Sequence, residues 1–176
     1  MDIVMHSKTA GVTLFETLVT MAIMAVLLTL ALASYGEIVS EHRPEYTLKR
    51  IKHALSLAKA HASASGTQAT VCHLDRNRCS DNQWHKSITV FIDRGEPTIF
   101  DANDKRLYEL EPIHAADTLI YPRRAIVFTR DGSIKGFTNG TFVYCLPEHQ
   151  GLSSGLEMSI SNSGRARLRD TKKCPL

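Results

Sequence analysis

The chain has 176 residues, 43% of them hydrophobic and 22% charged, and a net charge of +3. Those proportions exclude wholesale disorder, and the length suits one globular unit with too little chain for two independent cores. The positive charge is local: from Ser163 onward Arg165, Arg167, Arg169, Lys172 and Lys173 face only Asp170, so the tail is +4 and everything before it −1.

The first eleven residues are short and polar, with Lys8 ahead of Gly11. From residue 17 to residue 36 no side chain is charged, and a run of about 20 such residues is enough to cross a bilayer as a helix. An ordinary secretory signal places its apolar core before the cut and a small-x-small site after it. Here the apolar run follows Gly11 and stays with the product. Glu16 sits at the head of that run, where a carboxylate is costly in hydrocarbon and calls for a partner or a function. Its plainer alternative is a place at the lipid interface, with the carboxylate reaching water. The segment Gly11-Val12-Thr13-Leu14-Phe15-Glu16 resembles the prepilin peptidase site. That resemblance implies cleavage after Gly11, an N-methylated mature start at Val12, and Glu16 as the fifth mature residue. There it would meet the terminal amine of a neighbouring subunit and set register during assembly. Val12 stands where Phe is usual and Ala33 where Pro is common, so a helix break is not expected at Ala33.

Further on, Leu48, Ile51, Leu55, Ala58 and Ala62 recur at three- and four-residue steps, an apolar stripe on one helix face. Lys49, Lys52 and Lys59 fall mostly off it. This reads as the second half of a long helix, interrupted by Pro44, which removes a backbone donor and usually kinks a helix. Gly66 is its natural stop. After Gly66 the period shortens, and residues 70–74, 87–93, 106–110, 125–129, 141–146 and 156–161 read as strands rich in Val, Ile, Phe, Tyr and Thr. Asp131-Gly132 between two such runs is a hairpin signal leading into residues 134–137, while residues 93–97 and 147–155 read as loops. Trp84 reads as a core residue. The expected fold class is α+β, a long N-terminal helix laid against antiparallel strands.

Four cysteines, Cys72, Cys79, Cys145 and Cys174, all follow the apolar run. In an exported domain they favour disulfides, and four cysteines allow three connectivities. The favoured set is Cys72–Cys79, closing a short loop, with Cys145–Cys174, tying the tail to an interior strand. The competing use is a metal site of Cys72, Cys79, His73 and His85, whose spacing matches no paired C-x2-C pattern.

Leu55-Ser56-Leu57-Ala58-Lys59-Ala60, Gly66, Val71-Cys72, Trp84, Val90-Phe91-Ile92-Asp93, Phe128-x-x-Asp131-Gly132 and Ser163-Gly164-Arg165-Ala166-Arg167 together resemble the GspH/FimT family of type IV pilin-like proteins. The late cysteine and the Gly-Arg-x-Arg stretch are most similar to its FimT and FimU minor pilins. The resemblance implies the pilin fold and three parts: a leader over residues 1–11, a transmembrane or fibre-core helix over 12–36, and an extracytoplasmic head over 37–176. It implies prepilin peptidase, other pilins and the inner membrane as successive partners, and then a place in the pilus at the cell surface. FimT-type members are implicated in binding DNA during natural transformation. FimU-type members prime assembly and GspH-type members serve a secretion pseudopilus.

The residues offer their own reading of the tail. Alternate side chains of a strand share a face, so Arg165, Arg167 and Arg169 should project together while Ala166 and Leu168 face inward. Arginine forks suit phosphate oxygens, and Lys172 and Lys173 extend the patch. Such a site would grip double-stranded DNA by its backbone without reading sequence. The alternative is an edge strand kept from aggregating by its charges, one paired with acids of a neighbouring minor pilin, or one that meets anionic lipid or polysaccharide. His42, His53 and His61 lie along the helix as surface or packing residues. Asp93, Asp101, Asp104 and Asp131 suit turns. No nucleophile elbow, phosphate-binding glycine loop or His-Glu-x-x-His stands in the sequence, so neither an enzyme nor a cofactor is expected.

Overall fold

The computed structural model describes residues 11–147 and 155–174, apart from the side chains of residues 31–34 and 37–38. The chain divides into two compact units, one up to Glu41 and one from His42. Helix α1 (Leu14–Ser65) contributes to both.

In the first unit the helix begins on a cap. Thr13 Oγ1 accepts the backbone N–H of Glu16 at 3.2 Å, which satisfies one of the amides a helix N-terminus leaves open. Glu16 lies in the first turn, where the helix dipole favours a negative charge. Leu14, Phe15, Leu18, Met21, Met24, Leu27, Leu28 and Leu30 are all exposed, an apolar surface of the kind that marks a membrane or protein contact. Among the described residues no helix is long and apolar enough to cross a membrane. The expected span over residues 17–36 includes 31–34, whose side chains lie outside the description.

In the second unit α1 runs through Pro44, which is buried, to Ser65. Leu48, Ile51, Ala54, Leu55, Ala58 and Ala62 are all at most 2% exposed, so the stripe is the core-facing side. Gly66, at φ +61, ends the helix in the left-handed conformation that lacks a Cβ penalty.

The strands follow in chain order: β1 (Gln68–Cys72), β2 (Leu74–Asp75), β3 (Arg78–Cys79), β4 (Ile88–Asp93), β5 (Lys105–Leu110), β6 (Thr118–Ile120), β7 (Ala125–Phe128), β8 (Thr141–Cys145), β9 (Gly155–Ile160) and β10 (Ala166–Asp170). They form two four-stranded antiparallel sheets, β5-β4-β1-β7 and β10-β9-β8-β6, and a short β2-β3 pair. Alternation sends Ile88, Val90, Ile126 and Phe128 into the main core with the helix stripe, and Phe91, Ala125 and Val127 into a second cluster with Phe100. Because both faces of the first sheet are covered, β4 and β7 are buried along their whole length. The second sheet gives Leu119, Phe142, Tyr144, Met158 and Ile160 to the main core. Trp84 is a core residue there, edge-on to Tyr121 and Phe142 at 5.1 and 5.0 Å, with its indole N–H donating to the Arg123 carbonyl at 2.7 Å.

One sequence expectation is corrected. Asp131-Gly132 does form a turn, with Gly132 at φ +76, Thr129 N donating to Ser133 O, and the Asp131 carboxylate taking the Thr129 and Ser133 hydroxyls. The second arm over residues 134–137 is not a strand. Pairing amounts to a single bridge between Phe128 and Ile134, carried by Thr129 N to Ser133 O and Lys135 N to Val127 O, before Gly136, at φ +58, turns the chain away. Strands β2, β3 and β6 were not expected. Of the expected loop at residues 147–155, residues 148–154 lie outside the description.

Candidate functional site

Among the described residues strand β10 is an edge of the second sheet, paired only to β9, with Arg167 opposite Ser159 and Arg169 opposite Glu157. Ala166 and Leu168 are half-buried against the main core, while Arg165, Arg167 and Arg169 are exposed, as alternation requires. Arg165 itself precedes the strand. It closes the β9–β10 turn, where Ser161 N donates to Arg165 O at 3.0 Å, Gly164 N to Ser161 O at 2.8 Å, and Arg165 N to Ser161 Oγ at 3.2 Å. Gly164 sits at φ +72, and a Cβ on it would lie 2.9 Å from Phe128 Cε1. A glycine before the first arginine is therefore a steric requirement of this turn.

The five cations of the tail do not form one free patch. Arg169 Nε donates to the Glu157 carboxylate, Lys173 Nζ lies 3.0 Å from its other oxygen, and Thr171 Oγ1 donates to that oxygen at 3.1 Å. The Glu157 side chain is only 4% exposed. Its cover is the side chains around it, and hydrogen bonds from Lys173, and then from Arg169 and Thr171, hold its carboxyl below the ordinary value against the opposing effect of desolvation. Arg165, Arg167 and Lys172 are exposed and have no ion-pair partner among the described residues. Of these, Arg165 and Arg167 lie toward the turn end of β10 and Lys172 lies beyond its other end.

Two grooves flank Arg165. One, of 410 Å³, is lined by Ser159, Ile160, Ser161, Ser163, Arg165 and Arg167. The other, of 560 Å³, lies between helix α1 and the turn, and Lys52, Ser56, Lys59, Ser63, Ser163 and Arg165 are among its lining residues.

The tail beyond β10 is fastened by Cys145–Cys174, while Cys72–Cys79 closes the β2-β3 loop. Gly155 permits that crossing, since a Cβ there would lie 2.4 Å from Tyr144 O and 2.5 Å from Cys174 Sγ. The Cys72–Cys79 bond removes both thiolates from the competing metal set, and His73 Nδ1 is engaged with the Ser87 carbonyl at 2.7 Å. Gly11, Val12 and Glu16 are exposed at the other end of the chain, and Glu16 has no ion-pair partner among the described residues.

Three acids were missed or misread in the sequence. Glu157 was taken only as part of a strand. Asp93, taken as a turn acid, is buried, accepts Thr70 Oγ1 at 2.6 Å and Thr98 N at 2.9 Å, and has its carboxyl pushed up by burial against those hydrogen bonds. Asp117, also buried, accepts Tyr144 OH at 2.5 Å and faces Arg43 Nη1 at 3.4 Å. Charge reversal across strand register, the signal for Glu157, is visible only once β9 and β10 are aligned.

Comparison with known proteins fits this geometry. The family described as type II transport protein GspH matches residues 47–164, and the prokaryotic N-terminal methylation motif matches residues 6–32. No curated protein matches the chain. Among solved structures, the type IV minor pilin FimU of Pseudomonas aeruginosa PAO1 is similar in two crystal forms. One shares 17% identity over 78% of this chain and 99% of that one, with a TM-score of 0.57. The other shares 18% over 74% and 99%, with a TM-score of 0.53. At that identity the likeness is one of fold, the type IV pilin fold.

Proposed function

Because the chain belongs to the GspH family of minor pilins and pseudopilins, we propose that it is a minor type IV pilin that captures extracellular double-stranded DNA through Arg165 and Arg167 and supports uptake in natural transformation. The observation that carries this reading is the division of the tail's charge. Glu157 occupies Arg169 and Lys173, while Arg165, on a turn fixed by hydrogen bonds and a core-packed glycine, and Arg167, in the strand that follows, are left exposed.

Two side chains on alternate positions of an extended chain lie about 7 Å apart, close to the separation of successive phosphates. Their planar forks donate paired N–H groups to phosphate oxygens. Contacts of this kind position a duplex and carry no sequence information, and each phosphate neutralised releases counterions, so binding weakens steeply with salt. Among the described residues no stacking aromatic lines either groove, which favours duplex backbone over splayed single strands.

The remaining parts serve delivery. Prepilin peptidase removes residues 1–11, leaving Val12 as the new N-terminus, and the helix over residues 12–36 holds the protein in the inner membrane before assembly. Glu16, exposed and without an ion-pair partner among the described residues, docks onto the terminal amine of a neighbouring pilin in the fibre. The head over residues 37–176 is then carried to the cell surface, where retraction draws bound DNA inward.

A second reading has one observation in its favour: β10 is an edge strand, and cations on an edge prevent unwanted pairing. On that reading the protein is a structural minor pilin or secretion pseudopilin. Cells carrying Arg165→Gln with Arg167→Gln separate the two. Loss of transformation with normal piliation and secretion supports DNA capture; unchanged transformation supports the structural role.

A further inference from the structure

The groove between helix α1 and the β9–β10 turn carries a charge that the tail alone does not explain. Lys59 Nζ donates to the Ser163 carbonyl at 2.7 Å, and the Lys59 stem passes 3.3 Å from where a Gly164 side chain would begin. The turn that bears Arg165 therefore rests on Lys59. Seven residues earlier, two helical turns or about 10 Å along the axis, Lys52 lines the same groove, exposed and with no ion-pair partner among the described residues.

The lining chemistry decides what the groove can hold. Lys52, Lys59 and Arg165 are interspersed with the hydroxyls of Ser56, Ser63 and Ser163, and among the described residues no Asp or Glu lines it. The same holds for the adjoining groove, which shares Ser163 and Arg165 and adds Arg167, Ser159 and Ser161. Cations with hydroxyl donors and no competing carboxylate suit an anion with several oxygens, and two such grooves meeting at one arginine suit a chain of them. At the far end of β10, Arg169 and Lys173 are both engaged by the one carboxylate of Glu157. The unpaired Arg165 and Arg167 therefore adjoin the helix groove, while beyond the other end of β10 Lys172 is the unpaired cation among the described residues.

We infer that the DNA footprint crosses the β9–β10 turn onto helix α1, with Lys52 as a phosphate-binding residue and Lys59 as the positioning residue that holds Arg165 in place. This rests on the DNA-capture reading. Phosphates of one strand sit in the outer groove at Arg165 and Arg167, and the backbone continues past Arg165 to Lys52.

The test uses full-length protein in non-ionic detergent, titrated with a fluorescent 30-base-pair duplex at several salt concentrations. Lys52→Gln should raise Kd about three- to tenfold and lower the salt slope by about one. Lys105→Gln, an exposed charge change on β5 of the other sheet, should leave both unchanged. If Arg165→Gln with Arg167→Gln abolishes binding while Lys52→Gln matches wild type in affinity and slope, the helix is outside the footprint and the inference is wrong, although DNA capture stands. An equal loss in Lys105→Gln would reduce the effect to net charge and also overturn it. Absence of wild-type binding at low salt would remove both this inference and the reading beneath it.

Discussion

Arg169 and Glu157 face each other across the β9–β10 pair, and the arginine spends its Nε on a carboxylate that Lys173 and Thr171 also reach. A row of three arginines in the sequence is therefore two free arginines and one neutralised in the folded protein. Arg169→Gln should weaken DNA binding less than Arg165→Gln or Arg167→Gln does. Glu157→Gln should strengthen it several-fold and steepen the salt slope, because two cations are released toward the phosphates. Parallel titrations of the four variants give the order directly.

The same carboxylate sets an acid limit on the head. Glu157 is held below its ordinary 4.5, so the stability it contributes is complete above that value and is lost as pH falls through the lowered one. Asp93 has the opposite sign. Burial raises it above 3.8, so its contribution is complete below 3.8 and is lost as pH rises through the raised value. In urea melts at stepped pH, Glu157→Gln should remove part of the loss of stability below pH 4.5. Asp93→Asn should remove a decline on the other side of 3.8.

Gly164→Ala should cost about 1–3 kcal/mol, the usual cost of a side chain held in a sparsely populated backbone region. It adds a clash with Phe128 and moves the turn under Arg165. DNA affinity should fall with stability, whereas Gly36→Ala, in the helix with nothing within 4 Å of its Cβ position, should leave the turn untouched. Thermal melts and DNA titrations of both variants make the comparison.

The two disulfides should differ in what they contribute. Cys145–Cys174 spans a separation of 29 residues and Cys72–Cys79 one of 7. Chain entropy assigns about 3.5 kcal/mol to the first and about 2.5 kcal/mol to the second. Replacing Cys145 and Cys174 by Ser should therefore lower the urea midpoint more. It should also free the tail from Gly155 and Tyr144, read as faster amide exchange at Lys172 and Lys173.

Much of this was legible in the sequence, for physical reasons. The helix stripe from Leu48 to Ala62 appeared because a 3.6-residue period survives without any knowledge of partners, and its members are at most 2% exposed. Six of the seven strands of four residues or more appeared from β-branched and aromatic runs. Strand β6 did not, because three residues with one buried side chain carry too little pattern. The arm over residues 134–137 pairs with β7 only through Lys135 N to Val127 O beyond the turn, and Gly136 then turns the chain away, so one bridge forms where a strand was expected. In the candidate site the arginines could be read from alternation alone. Glu157 and Lys52 could not, since one needs the strand register and the other needs helix and turn brought together.

The central claim is that Arg165 and Arg167 capture duplex DNA by its phosphates. The most direct test is the Kd of the full-length protein for duplex DNA between 25 and 200 mM salt, wild type against Arg165→Gln with Arg167→Gln. The account predicts wild-type binding that weakens linearly in log salt, with the variant shallower by about two contacts and at least about tenfold weaker at the lowest salt, its circular dichroism unchanged. Equal affinity and equal slope in wild type and variant would contradict it.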